Sequence, residues 1–283
     1  QGLSIVAIRS LHPPKNIIAE IMQHQATILP AIPQLYRALA NSQLPQNLPL
    51  RVCCSGAAPL PLEVLKAFNE NVGIPLLEGY GLSETSPVAC FNPLNGEKKP
   101  GSVGLPIKGV EFQIWNDAGE VLPIGEQGEI CIKGHNVMMG YWNNPEATEA
   151  AIKGDWFLSG DIGYLDEDGY LYITDRKKDM LLVNGINVYP RELEEVIYQF
   201  DGIKEAAVIG VNDPRKGDLV VACIAPNEGA DIDDSMLLGF LKDKLAAYKL
   251  PRKVIQMEAL PRNATGKILK TKLREIAAEQ YGR

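Results

Sequence analysis

Along residues 1–100 short apolar runs alternate with stretches whose apolar positions recur every three or four residues. SIVAI (4–8) and RVCCS (51–55) have the length and composition of buried strands. NIIAEIMQH (16–24), IPQLYRALANS (32–42) and PLEVLKAFNE (61–70) carry a helical period. Pro33 falls near the start of its helix, where a missing N–H costs nothing. IPLLEGYG (74–81) reads as a strand running into a loop. Strand-helix alternation of this kind predicts a mainly parallel sheet with helices on its faces.

From about residue 101 the pattern changes to short strands and tight turns: VEFQIWN (110–116), GEICIKG (128–134), and DEDGYLYITD (166–175), with an Asp-Gly turn before its strand. This section reads as antiparallel and barrel-like. After Arg176 it changes again. RELEEVIYQF (191–200) puts Leu193, Val196, Ile197 and Phe200 on one helical face. EAAVIGV, LVVACIA and RKVIQME read as strands, SMLLGFLKDKLAA (235–247) and KTKLREIAAEQ as helices. The expected architecture is an α/β portion (1–100) with a β-rich, barrel-like part (101–176), then a small α+β domain (177–283). The boundary falls in the charged run DRKKD (175–179).

A chain of 283 residues is long enough for two domains. With 46% hydrophobic and 22% charged residues it has the composition of a soluble globular protein. The formal net charge of -7 argues against a general phosphate-backbone binder, so no nucleic-acid partner is expected. No apolar run approaches the ~18 residues of a bilayer span. Cys53, Cys54, Cys90, Cys131 and Cys223 show no Cys-x-x-Cys spacing and read as reduced core residues of a cytosolic protein. His12, His24 and His135 are scattered, which disfavours a histidine-based metal site.

Several segments hold chemistry-bearing residues. In EGYGLSETSP (78–87), Gly79 and Gly81 let backbone approach a ligand, Tyr80 offers a ring face, Ser83 a hydroxyl, and Glu84 a carboxylate suited to Mg2+. A glycine-rich turn with a solvated Glu explains the same letters equally well. In DWFLSGD (155–161), Asp161 has the acceptor geometry for a ribose diol, although Gly-Asp pairs are common in turns. The small residues of SGAAPL (55–60) either admit a flat ring or pack against a helix. DRKKDMLLVNGINVYPRELE (175–194) reads as a linker leading into an amphipathic helix. PRNATGKILK (261–270) superficially suggests a phosphate loop. Pro261 stands where that motif needs Gly, and Ile268 where it needs Ser or Thr, so the match fails.

GYGLSE, PGSVGLP, GEICIKGHNVMMGYWNNPEAT, WFLSGD, DRKKDMLLVNGINVYPRELE and PRNATGK, in that order, resemble the adenylate-forming superfamily of acyl-CoA synthetases, luciferases and peptide-synthetase adenylation domains. The stretch from 175 is most similar to bacterial long-chain fatty-acid–CoA ligases. The resemblance implies that a fatty acid and ATP form acyl-AMP, with Mg2+, and that coenzyme A then takes the acyl group. It implies that Tyr80 and Gly81 lie at the adenine, Ala57 and Ala58 line the adenine and acyl pocket, and Ser83 holds the α-phosphate. Glu84 would bind the metal, Asp161 the ribose hydroxyls with help from Arg176, and Lys267 would bridge carboxylate and phosphate. Lys178 matches a hinge, and Gly185 a glycine beside the pantetheine channel.

Ser83 stands where many members have Thr, and Leu182 and Asn184 where luciferase-like relatives carry Lys. No Ser/Thr/Gly-rich loop ending in Pro-Lys-Gly occurs. With a first residue other than Met, that suggests a chain lacking the first part of the large domain and inactive, or nearly so, alone. Two other readings stand beside the CoA ligase: a fatty-acyl-AMP ligase loading a carrier protein, and a non-catalytic nucleotide-binding module. Cytoplasmic placement is expected. Peripheral membrane contact is left open by the fatty substrate, although no amphipathic anchor stands out.

Overall fold

The computed structural model describes residues 2–8, 14–213, 217–263 and 266–281; His12, and Ala264 and Thr265 of PRNATGK, lie outside them. The chain divides into two compact units. Unit 1 is Gln1–Ser159 with Tyr164–Ile173, and unit 2 is Gly160–Gly163 with Thr174–Arg283.

Unit 1 begins with α1 (Pro14–His24), β1 (Ile28–Ala31), α2 (Pro33–Ala40), β2 (Val52–Ser55), α3 (Leu62–Val72) and β3 (Leu76–Tyr80). A single 3-10 turn (Ser83–Thr85), β4 (Cys90–Phe91) and β5 (Leu105–Pro106) follow. The sheet order is β1-β2-β3-β4-β5. β1, β2 and β3 pair in parallel, and β4 and β5 join antiparallel. Helices supply the covering apolar faces: Ile17 of α1, Tyr36 of α2 and Phe68 of α3 are fully buried. Each such side chain contributes about 1.5–3 kcal/mol on leaving water. The Tyr36 and Phe68 rings meet edge to face at 5.3 Å. The Tyr36 hydroxyl donates to Leu29 O (2.6 Å) and accepts from Cys54 N (3.2 Å), tying α2 to both β1 and β2.

SIVAI (4–8) is not a strand. Residues 2–8 have no regular structure, and Ile5 is 91% exposed. An apolar run becomes a strand only where a neighbour accepts its backbone bonds, and no described strand pairs with this one.

The β-rich part contains β6 (Val110–Trp115), β7 (Gly128–Gly134), α4 (Pro145–Ala151), β8 (Ile152–Lys153), β9 (Trp156–Leu165) and β10 (Leu171–Arg176). Its order is β10-β9-β7-β6, with β8 on β9. Ile114, Ile130, Ile132, Phe157 and Leu171 form its buried face. The Ser159-Gly160-Asp161 run, which alone reads as a turn, lies inside β9.

Unit 2 continues with β11 (Leu181–Val183), β12 (Ile186–Val188), α5 (Pro190–Ile197), β13 (Ile203–Asp213), β14 (Gly217–Pro226), α6 (Asp234–Lys242), β15 (Lys253–Gln256) and α7 (Lys270–Tyr281). Its order is β12-β11-β14-β13, with β15 parallel to β14. Val208, Val220, Ala222 and Ile224 face Leu193 and Ile197 of α5 and Leu237 and Leu241 of α6. The intervening Ala207, Ile209, Val221 and Cys223 face Leu273 and Ala277 of α7. Both faces of the sheet are covered, which is why EAAVIGV and LVVACIA are apolar throughout instead of alternating.

Candidate functional site

In unit 1 the candidate residues sit at the carboxyl ends of neighbouring parallel strands. Ser55 of β2 pairs with Glu78 of β3, so Ala57–Ala58 and Tyr80–Gly81 leave the sheet side by side. Open α/β sheets bind ligands at that edge. Ala57 adopts φ 66°, a left-handed conformation costing a non-glycine residue about 1 kcal/mol, and Ser86 in the adjacent loop adopts φ 51°. Strain of this kind concentrates at ligand sites. Tyr80 is half-buried against the β-rich core. Gly81 has no room for a side chain: a Cβ there would lie 1.9 Å from Pro87 O.

The loop after Tyr80 is held mostly by neutral hydrogen bonds. Leu82 N donates to Thr85 Oγ1 (2.9 Å), and Ala89 N to Tyr80 O (2.8 Å). The buried Asn136 amide donates to Thr85 O (3.0 Å) and Val88 O (2.7 Å). Ser83 is exposed on the 3-10 turn and Glu84 half-buried beside it. Tyr141 donates its hydroxyl to Glu84 Oε1 (2.9 Å), and Met138 N donates to Glu84 O (2.8 Å). Partial burial and then the Glu84 carboxylate push the Tyr141 phenol above its ordinary pKa. Tyr141 and Asn136 lie in NVMMGYW, whose role as a brace for 80–88 the sequence pattern does not reveal. Glu78 is buried, and its Oε1 accepts from Leu60 N (3.0 Å).

Unit 2 holds the other candidates. Asp161 on β9 is buried and lies 3.7 Å from Arg176 Nε at the end of β10. Lys177 N donates to Gly160 O (2.8 Å), which closes this strand pair, and Lys178 is exposed beyond it. Asp175 is buried. Its Oδ1 accepts from Arg176 N (2.7 Å) and its Oδ2 from Arg191 N at the start of α5 (2.9 Å). Burial pushes its carboxyl above the usual range, opposed by Lys270 and the two amides. Gly185 is at the tip of the β11–β12 hairpin, with Asn184 at φ 52° and Gly185 at φ 81°. Two positive φ values demand Asn-Gly at such a turn, and that accounts for this glycine by backbone alone.

Lys267 is half-buried in a segment that folds back on itself. Its N–H donates to Asn263 Oδ1, Asn263 N donates to Lys267 O (both 2.9 Å), and Leu269 N donates to Pro261 O (2.8 Å). Arg262 bonds Gly266 O and pairs with Glu205 at 2.7 Å. The amides of Gly266 and Lys267 are spent inside the segment, so neither is free for a phosphate, in agreement with its spacing. Among the described residues no helix is long and apolar enough to cross a membrane.

Comparison with known proteins adds relatives to this geometry. Residues 1–142 match the family model described as AMP-binding enzyme, and residues 192–267 that of the AMP-binding enzyme C-terminal domain. A long-chain-fatty-acid–CoA ligase of Bacillus subtilis is 41% identical over 272 residues, 95% of this chain and 49% of that protein. A feruloyl-CoA synthase of Amycolatopsis is 36% identical over 273 residues, 95% of this chain and 55% of its own. The chain thus spans about half the length of the curated relatives it matches. Among solved structures, ATP-bound MatB from Rhodopseudomonas palustris superposes with a TM-score of 0.89 at 37% identity, over 95% of this chain and 54% of that one.

Proposed function

Because the chain belongs to the AMP-binding enzyme family, we propose that the protein carrying it is a long-chain fatty-acid–CoA ligase working through an acyl-adenylate. The fatty carboxylate attacks the α-phosphorus of ATP. An acyl–phosphate bond forms, the α–β bridge breaks, and pyrophosphate leaves. The thiol of coenzyme A then loses its proton and attacks the acyl carbonyl, and AMP departs with the electrons of the acyl–oxygen bond. The observation that carries this reading is the convergence of Ala57–Ala58 and Tyr80–Gly81 at adjacent strand ends, followed directly by Ser83 and Glu84.

In this proposal Tyr80 stacks on adenine, with Gly81, Ala57 and Ala58 admitting the flat ring. Asp161 accepts from both ribose hydroxyls, and Arg176, already beside it, fixes its orientation. Ser83 donates to an α-phosphate oxygen. Lys267 donates to the carboxylate and phosphate as negative charge gathers, where a fixed ammonium in a dry site is strongly stabilising. Lys178 is the hinge and Gly185 borders the pantetheine path. The residues fit a Mg2+ brought in with ATP: Glu84 offers one half-buried carboxylate directly after Ser83, and Mg2+ on phosphates needs only one or two protein carboxylates. Glu84 would hold it, and the ion would neutralise phosphate charge. Cytoplasmic location goes with this chemistry.

Greater identity to the Bacillus subtilis fatty-acid ligase (41%) than to the feruloyl enzyme (36%) favours an aliphatic chain over an aromatic acid. The 283 residues alone contain no Pro-Lys-Gly phosphate loop and are expected to turn over little ATP. Assay of the natural full-length protein tests the reading. Lys267→Ala should abolish fatty-acid-dependent ATP–pyrophosphate exchange while retaining thioester formation from supplied acyl-AMP. Full exchange in that variant would refute the assignment. Offering coenzyme A or a carrier protein, with the thioester identified by mass spectrometry, decides the acceptor.

A further inference from the structure

Lys267 stands between two ion pairs of unit 2. After it, Lys270, the first residue of α7, pairs with Glu194 Oε1 on α5 at 2.8 Å and so docks one helix on another. Before it, Arg262 pairs with Glu205 Oε1 on β13 at 2.7 Å. This second pair reaches into the lysine's own loop, and the chemistry proposed above makes no use of it.

Glu205 is out of keeping with its surroundings. It shares a strand face with Ala207 and Ile209, which are buried with Leu260, Leu273 and Ala277. The pairing of β13 with β14 shifts register between Ile203 and Glu205, and irregularities of that kind re-aim side chains. The Glu205 side chain is only 12% exposed and that of Arg262 22%. A carboxylate so covered needs partners, and the two it has belong to one loop. Its Oε2 accepts from Leu260 N (3.0 Å), and its Oε1 accepts from Arg262 Nη2 (2.7 Å).

The guanidinium does more than neutralise the acid. Its Nη1 donates to Gly266 O, the carbonyl immediately before Lys267. Arg262 is therefore a planar fork that bridges a strand of the sheet to the backbone adjoining the lysine. Asn263 clasps the same backbone from its other side: Lys267 N donates to Asn263 Oδ1, and Asn263 N donates to Lys267 O (both 2.9 Å). Leu260 and Ile268, at the two ends of the loop, pack into the core that contains Ala207 and Ile209. All of these contacts fix backbone and loop ends; none of them holds the Lys267 ammonium. A fork sets direction in a way that a flexible point donor does not. A buried ion pair seldom adds stability over apolar packing, so a fixing role accounts for this one better than stability does.

We infer that Arg262 is a positioning residue: held by Glu205, its guanidinium sets where the backbone of Lys267 stands relative to β13, and hence where the ammonium can reach. Its effect on acyl-AMP formation rests on the adenylating role given to Lys267; the fork itself does not. Every member of the fork lies after Lys178 in sequence, so the proposed hinge stays free.

The test uses the natural full-length protein with Arg262→Met, Arg262→Lys and Glu205→Gln. In Arg262→Met, amide exchange read by mass spectrometry should quicken at least about tenfold in peptides covering 260–269 and stay unchanged in α5 and α6. Unchanged exchange at 260–269 overturns the fork whatever Lys267 does. In the same variant acyl-AMP formation should fall about 100-fold in kcat, the cost of roughly an ångström of misplacement, with the KM for ATP nearly constant. Conversion of supplied acyl-AMP to thioester should fall less than about threefold. An equal fall in both half-reactions, or a loss carried by KM alone, overturns the positioning role. Arg262→Lys keeps the charge without the planar fork and should still form acyl-AMP about tenfold more slowly than the natural protein; full activity there overturns the geometric requirement. Failure of the Lys267→Ala prediction would overturn the assigned chemistry while leaving the exchange result to judge the fork. If Arg262→Met loosens α5 and α6 as well, Glu205→Gln, which keeps an acceptor for Leu260 N, is read on the same peptides. Faster exchange at 260–269 alone then supports the fork, and unchanged exchange overturns it.

Discussion

The loop after β3 and the turn after β10 both carry candidate site residues, yet they are held by opposite chemistry. In unit 1, residues 80–88 are fixed by a hydroxyl, a carboxamide and backbone groups: Thr85, Asn136 and the amides of Leu82 and Ala89. In unit 2, residues 175–179 are fixed by Asp179, which accepts from Arg274 of α7, and by Asp175, which accepts from the Arg191 amide at the start of α5 and lies in the field of Lys270. Neutral braces set shape with little dependence on salt or pH. Charged braces are sensitive to both, and they break as a group when one member is lost. The difference teaches that the first loop is held by groups of fixed polarity, whereas the second is tied by charge to the helices beside it.

Breaking the neutral side should show the largest effect. Gly81→Ala forces a Cβ against Pro87 O and should cost about 3 kcal/mol, read as a lower urea midpoint. Asn136→Ala removes the donor to two carbonyls and should cost about 2 kcal/mol. A loss as large at 1 M salt as at low salt would confirm that this brace is neutral.

Thiols probe the two interiors in a third way. Burial pushes Cys53 in unit 1 up to about 12, and Cys223 in unit 2 likewise up to about 12, the latter with Glu194 adding to the rise. Both folded groups therefore stay neutral while the unfolded thiols ionise from about pH 8.5–9. The stability each contributes is complete below that range and is lost as pH rises toward 12. At pH 10 each should already have lost about 1.5–2 kcal/mol, and alkylation of the native protein at pH 8.5 should leave both unmodified. Modification without unfolding would contradict the burial.

The smallest effects sharpen the contrast. Tyr141→Phe removes one exposed hydrogen bond to Glu84 and should cost about 0.5–1 kcal/mol, with faster exchange at 83–85. Raising salt to about 1 M, where screening acts over roughly 3 Å, should speed exchange a few-fold at 175–179 and leave 80–88 unchanged. Equal responses would remove the distinction.

Much of the fold is legible in the chain because burial on two faces writes itself as continuous apolar runs. EAAVIGV and LVVACIA became β13 and β14, and RVCCS became β2. SIVAI failed because composition cannot say whether a partner strand exists. WFLSGD concealed a strand: Gly160 at φ 71° and a charged Asp161 look like a turn, yet Asp161 is buried in β9 with Arg176 nearby. Asn144-Pro145-Glu146 was a usable helix signal for α4, with Asn144 accepting from Ala147 N (3.1 Å). Asn184-Gly185 was an equally usable hairpin signal. The braces were not legible. Asn136 and Tyr141 lie far in sequence from the loop they hold, as Lys270 and Glu194 do from Asp175, and pairing across such separations leaves no local periodicity.

The small unit is also discontinuous in sequence: it reaches back for Gly160–Gly163. Lys177 bonds Gly160 there and Arg176 faces Asp161. A gene fragment beginning at Thr174 would omit both partners. Recombination with a single junction near residue 174 would therefore hand a new host the Arg176 side chain without its own carboxylate. Inheritance of this unit as a working module requires two junctions, or a host whose equivalent strand already carries the matching acid.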